Sequence, residues 1–483
     1  MKYSVHITLV LIAIVINLVS FREGHNWGGD FAGYIIQSQT VADGNFDRLK
    51  EQIEKNDFIL NYPWGYPLLL SPLIEYFNGN LNILKYYTYA FFILSLVFIF
   101  FLFRENKAFS LLTIILLAAN PYFWELKNDL LADFPNLCFT FLSLLTIHHV
   151  IIRKKTIIND YFSGFLIGLT VFLSFIMRNQ SLILIPVLLV SQMMIYKKDA
   201  FKTTLLFKII TPYLTFILLM YLLFLIIPLK STSYSVQYNF SIVFILNTIW
   251  LNVFYYLNVW SELFRHIFLI HHFSEIFTGM VIFIAIIGFA RSIKSEYLII
   301  LFFIFSLALF LITPFYQGIR YVLPIIPVFI YLFVKGLAYV SEMLHHKYGR
   351  YIFTFTLTVL VLLSFKSIIT FSYNHYRSPE TMAGPYEDES LEMFVYLKEN
   401  TDRNDIIGFW KPRVMLLYTE RNSVVLQTVN QCSERNVDLL VCYKYATQDQ
   451  IPLDTITNYP DLFVNEFRNE NFAIFRVNRS VIH

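Results

Sequence analysis

The chain is 483 residues long, 57% hydrophobic and only 15% charged, with a net charge of +3. A soluble globular domain carries roughly a quarter charged residues, so this composition belongs to a bilayer-embedded chain. The small net charge and the absence of a Lys/Arg stripe exclude a nucleic-acid partner. The absence of a P-loop or dinucleotide fingerprint leaves ATP-driven transport unsupported.

In chain order, the apolar run at 3–20 reads as an uncleaved first span, because Val19, Ser20 and Phe21 make a poor cleavage site. Further candidate spans are 82–103, 108–124, 131–151, 161–177, 181–196, 203–229, 275–291, 297–313, 320–340 and 351–371. By the length rule of about 20 apolar residues per crossing, this makes about eleven. With the N-terminus cytoplasmic, the inner loops hold Arg104 and Lys107; Arg153 to Lys155; Lys197, Lys198 and Lys202; Arg291 and Lys294; and His345 to Lys347 with Arg350. Every short basic cluster then falls inside, as the positive-inside rule demands. An odd number of crossings puts the C-terminus outside.

Three long segments are therefore expected outside. The first is 21–81. The second, 230–274, is apolar but interrupted by Tyr255, Tyr256, Trp260, His266, His271 and His272, and is expected to lie along the interface. The histidines lack metal-ligand spacing and read as structural. The third is the polar tail. It shows an amphipathic helix at 387–399, then β-rich runs at Asp405–Trp410, Val414–Tyr418, Ser423–Gln427, Val437–Tyr443 and Phe472–Val477. The expected fold is thus an all-α polytopic membrane domain, 1–371, with a small extracytoplasmic α/β domain, 372–483. Cys138 lies in an apolar run and reads as inert; Cys432 and Cys442 could pair in an oxidising compartment.

Charges close to span ends are the candidates for chemistry, since a carboxylate beside the bilayer is costly to keep. Asp30, in Trp27-Gly28-Gly29-Asp30-Phe31, would begin an interfacial helix, either as an N-cap or as a proton acceptor. Asp129 and Asp133 lie four apart in the turn between the third and fourth spans. On a helix they would share a face and attract a cation; alternatively they mark a solvated helix start. Arg178 and Arg320 stand at the outer ends of two other spans, where a guanidinium either holds a phosphate or snorkels to head groups. Tyr62, Trp64 and Tyr66 offer rings for sugar stacking or for anchoring at the interface.

Four segments together carry a family resemblance: Gly29-Asp30-Phe31-Ala32-Gly33-Tyr34; Asn61-Tyr62-Pro63-Trp64-Gly65-Tyr66-Pro67-Leu68; Leu131-Ala132-Asp133-Phe134-Pro135; and Arg320-Tyr321-Val322-Leu323-Pro324-Ile325-Ile326-Pro327. In their order and shared outer location they resemble the GT-C superfamily of membrane glycosyltransferases. The nearest branch is that of the protein O-mannosyltransferases and aminoarabinose (lipid A) transferases, with its many bacterial members. The resemblance covers about residues 1–340.

It implies a multi-pass protein of the cell membrane, the bacterial inner membrane in that branch. Its substrates would be a polyprenyl-phosphate sugar and an extracytoplasmic glycan, lipid or protein acceptor. Asp30 matches the family's first-loop catalytic carboxylate, Asp133 with its neighbour Asp129 the second, and Arg320 the basic residue of a phosphate site. Many relatives place a second acid directly after the first; Phe31 stands there, which excludes a paired-acid mechanism at 30–31. The expected reaction is a single inverting displacement. Asp133 would orient the acceptor or Asp30, or help hold a divalent cation, though nothing in the sequence requires one. The alternative is a lipid-linked glycan transporter, flippase or polymerase. Transporters usually carry charges or helix breaks at mid-span, and most of the spans here are plain at their centres, with the acids gathered at the outer ends.

Overall fold

A computed structural model describes residues 3–478 apart from 56–61, 197–202, 228–240, 269–270, 315, 317, 345, 379–381 and 447. The membrane domain runs α1 (Ser4–Leu18), α2 (Asp30–Asp43), α3 (Phe46–Lys55), α4 (Gly65–Tyr76), α5 (Leu81–Leu102), α6 (Lys107–Ala118), α7 (Pro121–Leu126), α8 (Asp133–Ile147) and α9 (Asp160–Met177). It continues through α10 (Leu184–Tyr196), α11 (Thr203–Ile226), α12 (Ile242–Arg265), α13 (His271–Ser292), α14 (Tyr297–Ile312), α15 (Ile319–Val322), α16 (Ile326–Met343) and α17 (His346–Arg377). Among the described residues nine helical segments are long and apolar enough to cross a membrane, and α1 and α14 are shorter apolar helices. The chain is a polytopic membrane protein with a small C-terminal sheet.

Two departures from the expected spans have local causes. The span expected over 108–124 is two helices. The Asn120 side chain accepts from the Tyr122 N–H and Pro121 opens α7, so the pair stops one helix and caps the next. The segment expected along the interface contains α12, which is itself long and apolar enough to cross. Its contacts nevertheless lie at one end of the bundle. The Asn252 amide donates to the carbonyls of Phe310, Leu311 and Thr313, at the end of α14. The Tyr255 hydroxyl accepts from Gly318 N–H, and the Leu263 carbonyl accepts from Asn120. His266, which follows α12, meets Glu125 at 3.2 Å. Helix α12 therefore lies across the end of the bundle that carries Asp133 and Arg320.

The C-terminal unit follows α17. It comprises α18 (Asp388–Asn400), β1 (Ile406–Gly408), α19 (Pro412–Thr419), β2 (Asn422–Val424), α20 (Asn430–Glu434), β3 (Leu439–Tyr443), α21 (Leu453–Thr457), β4 (Phe463–Arg468) and β5 (Phe472–Val477). The sheet order is β2-β1-β3-β5-β4, with β1 parallel to β2 and β3, and β5 antiparallel to β3 and β4. The strand expected at Val414–Tyr418 is instead part of α19. Pro412 at the first helical turn fixes φ for a helix, and Val414, Met415 and Leu416 are buried on it. Cys432 and Cys442 are both free and buried, so the pairing considered for them is not made.

This unit seats on the loop after α1 through Trp27. The indole packs within 5.7–6.0 Å of the rings of Trp410, Tyr443, Phe409 and Phe472, the separation at which aromatic pairs attract. That seat brings α19 over the start of α2.

Candidate functional site

Asp30 is the first residue of α2 and Asp133 the first of α8; Gly29 and Ala132 occupy the caps. Both carboxylates thus sit at the positive ends of helix dipoles. Asp30 lies one position inside its helix, so the N-cap role considered for it is not the one it plays. Its carboxylate turns instead to side chains from three other segments.

Arg320 stands in the single turn of α15, reached through Gly318, whose φ of +64° is a conformation that only glycine adopts without strain. Its two terminal nitrogens donate to Asp30 Oδ2 at 3.2 Å each, and Nη2 also donates to Asp133 Oδ2 at 3.2 Å. Arg178 follows the last turn of α9 in extended backbone, and its Nη1 lies 3.2 Å from Asp133 Oδ1. Gly65, at the start of α4, is packed on the backbone of Ile176, where an added Cβ would come within 2.7 Å; this close approach fixes the chain just before Arg178. Asp30 Oδ1 accepts from the Tyr62 hydroxyl at 2.7 Å and from Arg413 Nη1 at 3.2 Å. Arg413 comes from α19; it also donates to the Tyr62 hydroxyl and lies 5.0 Å from the centre of the Tyr62 ring.

Burial divides these groups. The Asp133 side chain is 1% exposed, whereas that of Asp30 is 34% exposed. Asp133 is a structural counter-ion to two arginines, and Asp30 is the carboxylate partly open to solvent. Burial holds the Arg413 guanidinium below the ordinary arginine range, against the pull of Asp30 in the other direction. Beside Arg320 a cavity of about 500 Å³ is lined by Arg22, Tyr122, Glu125, Asp129 and Glu262 among others.

Asp129 lies in the turn before α8, so the single helical face expected to hold Asp129 and Asp133 does not form. Its Oδ1 accepts from Asn26, and burial pushes its carboxyl up to about 6. His25 beside it is held down to about 3 by burial and is therefore neutral at ordinary pH. Its Nε2 accepts from Leu130 N–H, so its 3.8 Å approach to Asp129 is not an ion pair. In the same turn Lys127 donates to the Ser20 carbonyl, and burial lowers its ammonium to about 6. These bonds tie the turn before α8 to the loop before α2.

No protein-family model matches the sequence, and no curated protein does. Solved structures do resemble the fold. The aminoarabinose transferase ArnT from Cupriavidus metallidurans, in the apo state, aligns over 98% of this chain and 98% of its own, with a TM-score of 0.60 and 10% identity. ArnT bound to undecaprenyl phosphate aligns over 99% and 98%, with a TM-score of 0.59 and 11% identity. The archaeal oligosaccharyltransferase AglB from Archaeoglobus fulgidus, in complex with an inhibitory peptide and a dolichol-phosphate, aligns over 92% of this chain and 70% of its own, with a TM-score of 0.54 and 13% identity. The chain has the GT-C fold.

Within that fold, four of the charged residues singled out in the sequence form one cluster: Asp30, Asp133, Arg178 and Arg320. Asp129 stands beside it, in the cavity wall. Tyr62 reaches Asp30 through its hydroxyl. The other two aromatic candidates are not available to a substrate. Tyr66 is 0% exposed with its hydroxyl on Thr88, and Trp64 is buried and packs on Phe46. Neither can stack on a sugar where it stands. Asp133 meets guanidiniums where a divalent cation was considered; among the described residues no group of three acidic, His or Cys side chains is close enough to hold a metal. Two residues went unforeseen. Tyr34 is buried between Tyr62 and Tyr66, one turn after Asp30. Arg413 stands in a polar tail where arginine carries no signal by itself.

Proposed function

We propose that this protein is a membrane glycosyltransferase. It transfers a sugar from a polyprenyl-phosphate donor to an extracytoplasmic acceptor, with inversion at the anomeric carbon. The observation that carries this reading is the shared guanidinium of Arg320, which joins a reachable carboxylate, Asp30, to a buried one, Asp133. A site at the end of an apolar bundle suits a donor whose tail stays in the bilayer and whose phosphate lies at its surface. The match to ArnT over nearly its whole length supports the same reading.

In this reading the basic clusters at the opposite span ends are cytoplasmic, and the site faces outward. The membrane domain ends near residue 371 and the sheet domain caps the site from outside. The acceptor enters through the cavity beside Arg320, where Glu125, Asp129 and Glu262 disfavour a second phosphate and suit a hydroxyl- or amine-bearing group.

The acceptor oxygen or nitrogen attacks the anomeric carbon, and the bond from that carbon to the phosphate oxygen breaks. The electron pair leaves with the polyprenyl phosphate, whose charge Arg320 and Arg178 offset. Asp30 receives the proton released by the acceptor.

The test is transfer of labelled sugar from a polyprenyl-phosphate donor by purified protein in lipid vesicles. Asp30→Asn is expected to lower the rate by about 10²–10⁴-fold, the usual contribution of a positioned base, at unchanged membrane abundance. Full activity in that variant would remove Asp30 from the mechanism.

A further inference from the structure

Asp30 is crowded in a way the proposed reaction cannot use. A carboxylate has about four acceptor positions. Oδ2 takes both terminal nitrogens of Arg320, and Oδ1 takes the Tyr62 hydroxyl and Arg413 Nη1. A base needs a vacant position aimed at the incoming proton, so one of these donors has to leave.

Two of the three are held from elsewhere. Arg320 is anchored by a second carboxylate, Asp133. Tyr62 is fixed through its backbone, whose N–H and carbonyl both bond the Gln37 side chain at 3.2 Å. Arg413 alone comes from the C-terminal domain, on the short helix α19, and it pairs with Asp30 across the domain boundary.

The charge count points the same way. Two carboxylates, Asp30 and Asp133, face three guanidiniums, Arg178, Arg320 and Arg413. The cluster carries one positive charge in excess and has capacity for one anion. A phosphate oxygen is a bidentate partner for a guanidinium at least as good as a carboxylate.

We infer that Arg413 is a phosphate ligand supplied by the C-terminal domain. It exchanges Asp30 for the phosphate of the lipid-linked substrate and thereby uncovers the oxygen that accepts the acceptor's proton. The assignment rests on the glycosyltransferase reading and adds an order to it: donor binding precedes, and creates, a competent base. The exchange makes and breaks only ion pairs and hydrogen bonds. An enzyme without donor keeps Asp30 masked.

The experiment measures binding of polyprenyl phosphate to the full-length protein in nanodiscs of zwitterionic lipid, with inorganic phosphate as competitor. Arg413→Gln is expected to weaken binding about 10–100-fold, the worth of one charge-assisted pair. Arg413→Lys, which keeps the charge and loses the fork, is expected to fall between. Asp30→Asn removes the competitor for Arg413 and is expected to bind the lipid several-fold more tightly than the wild type. This arm stands even if the Arg413 variants fold poorly. Inorganic phosphate at the same concentration is expected not to compete, since the tail supplies most of the affinity; competition at parity would assign the cation to free phosphate and overturn the lipid exchange. In transfer assays Arg413→Gln is expected to raise the donor KM. Wild-type affinity in Arg413→Gln, or no tightening in Asp30→Asn, overturns the exchange and leaves the glycosyltransferase reading standing. Absence of polyprenyl phosphate binding by the wild type overturns both.

Discussion

At the scale of the residue, the two aspartates look alike in sequence and differ in what surrounds them. Each opens a helix at a span end, and each meets Arg320. Asp133 is sealed between Arg178 and Arg320, and breaking a buried ion pair by removing one partner typically costs about 3–5 kcal/mol because the remaining charge is left uncompensated. Asp30 is partly open to solvent, and Arg320 keeps Asp133 when Asp30 is neutralised. The expected contrast is therefore specific. Asp133→Asn lowers both thermal stability in detergent and sugar transfer, whereas Asp30→Asn lowers transfer alone. Equal thermal stability of wild type and Asp133→Asn would show that the buried carboxylate is not the counter-ion described. The four charged residues of this cluster were legible because a charge at the end of an apolar run is rare enough to notice. Arg413 was not, since it lies 383 positions beyond Asp30 in a segment where charges are ordinary. The seating of Trp27 against the sheet domain helps bring the two together. Tyr66 misled in the opposite direction, because an aromatic motif does not reveal which ring will be buried.

At the scale of the element, the turn between α7 and α8 links the site to the loop before it. Asp129 holds its proton to about pH 6 in the folded protein, against about 3.8 for the ordinary side chain. A raised carboxyl contributes stability that is fully present below the unfolded value and is lost as pH rises through the folded one. Between about pH 4 and 6 the wild type should thus lose stability, and Asp129→Asn, which retains an oxygen for the Asn26 amide, should not. The variant is expected to melt several degrees higher at pH 7.5, with the difference gone by pH 4; a pH-independent difference would contradict this account of the turn. The sequence showed that a turn lies here but not its course. Four-residue spacing suggested one helical face, and the helix starts only at Asp133. Similarly, Val414–Tyr418 reads as a strand by its β-branched and aromatic residues, yet Pro412 and packing on the sheet make it a helix. Strand β4 was invisible because four of its six residues, Asn465 to Arg468, are polar or half-exposed at a sheet edge.

At the scale of the whole molecule, most of the spans and the composition change near residue 371 follow from hydrophobic length and charge placement, which act locally along the chain; the break at Asn120-Pro121 and the full length of α12 were not read from them. The convergence of α2, α8, α9, α15 and α19 on one pair of carboxylates joined by Arg320 depends on how the helices pack, and local pattern does not carry it. The central claim is that this convergence binds the phosphate of a lipid-linked sugar. The most direct test is a cryo-electron microscopy structure of the full-length protein in nanodiscs with polyprenyl phosphate at saturating concentration. The account predicts phosphate density within hydrogen-bond distance of Arg320 and Arg178, with the tail leaving between helices into the bilayer. Phosphate bound at the opposite end of the bundle, or a cluster unchanged and empty at saturation, would contradict it.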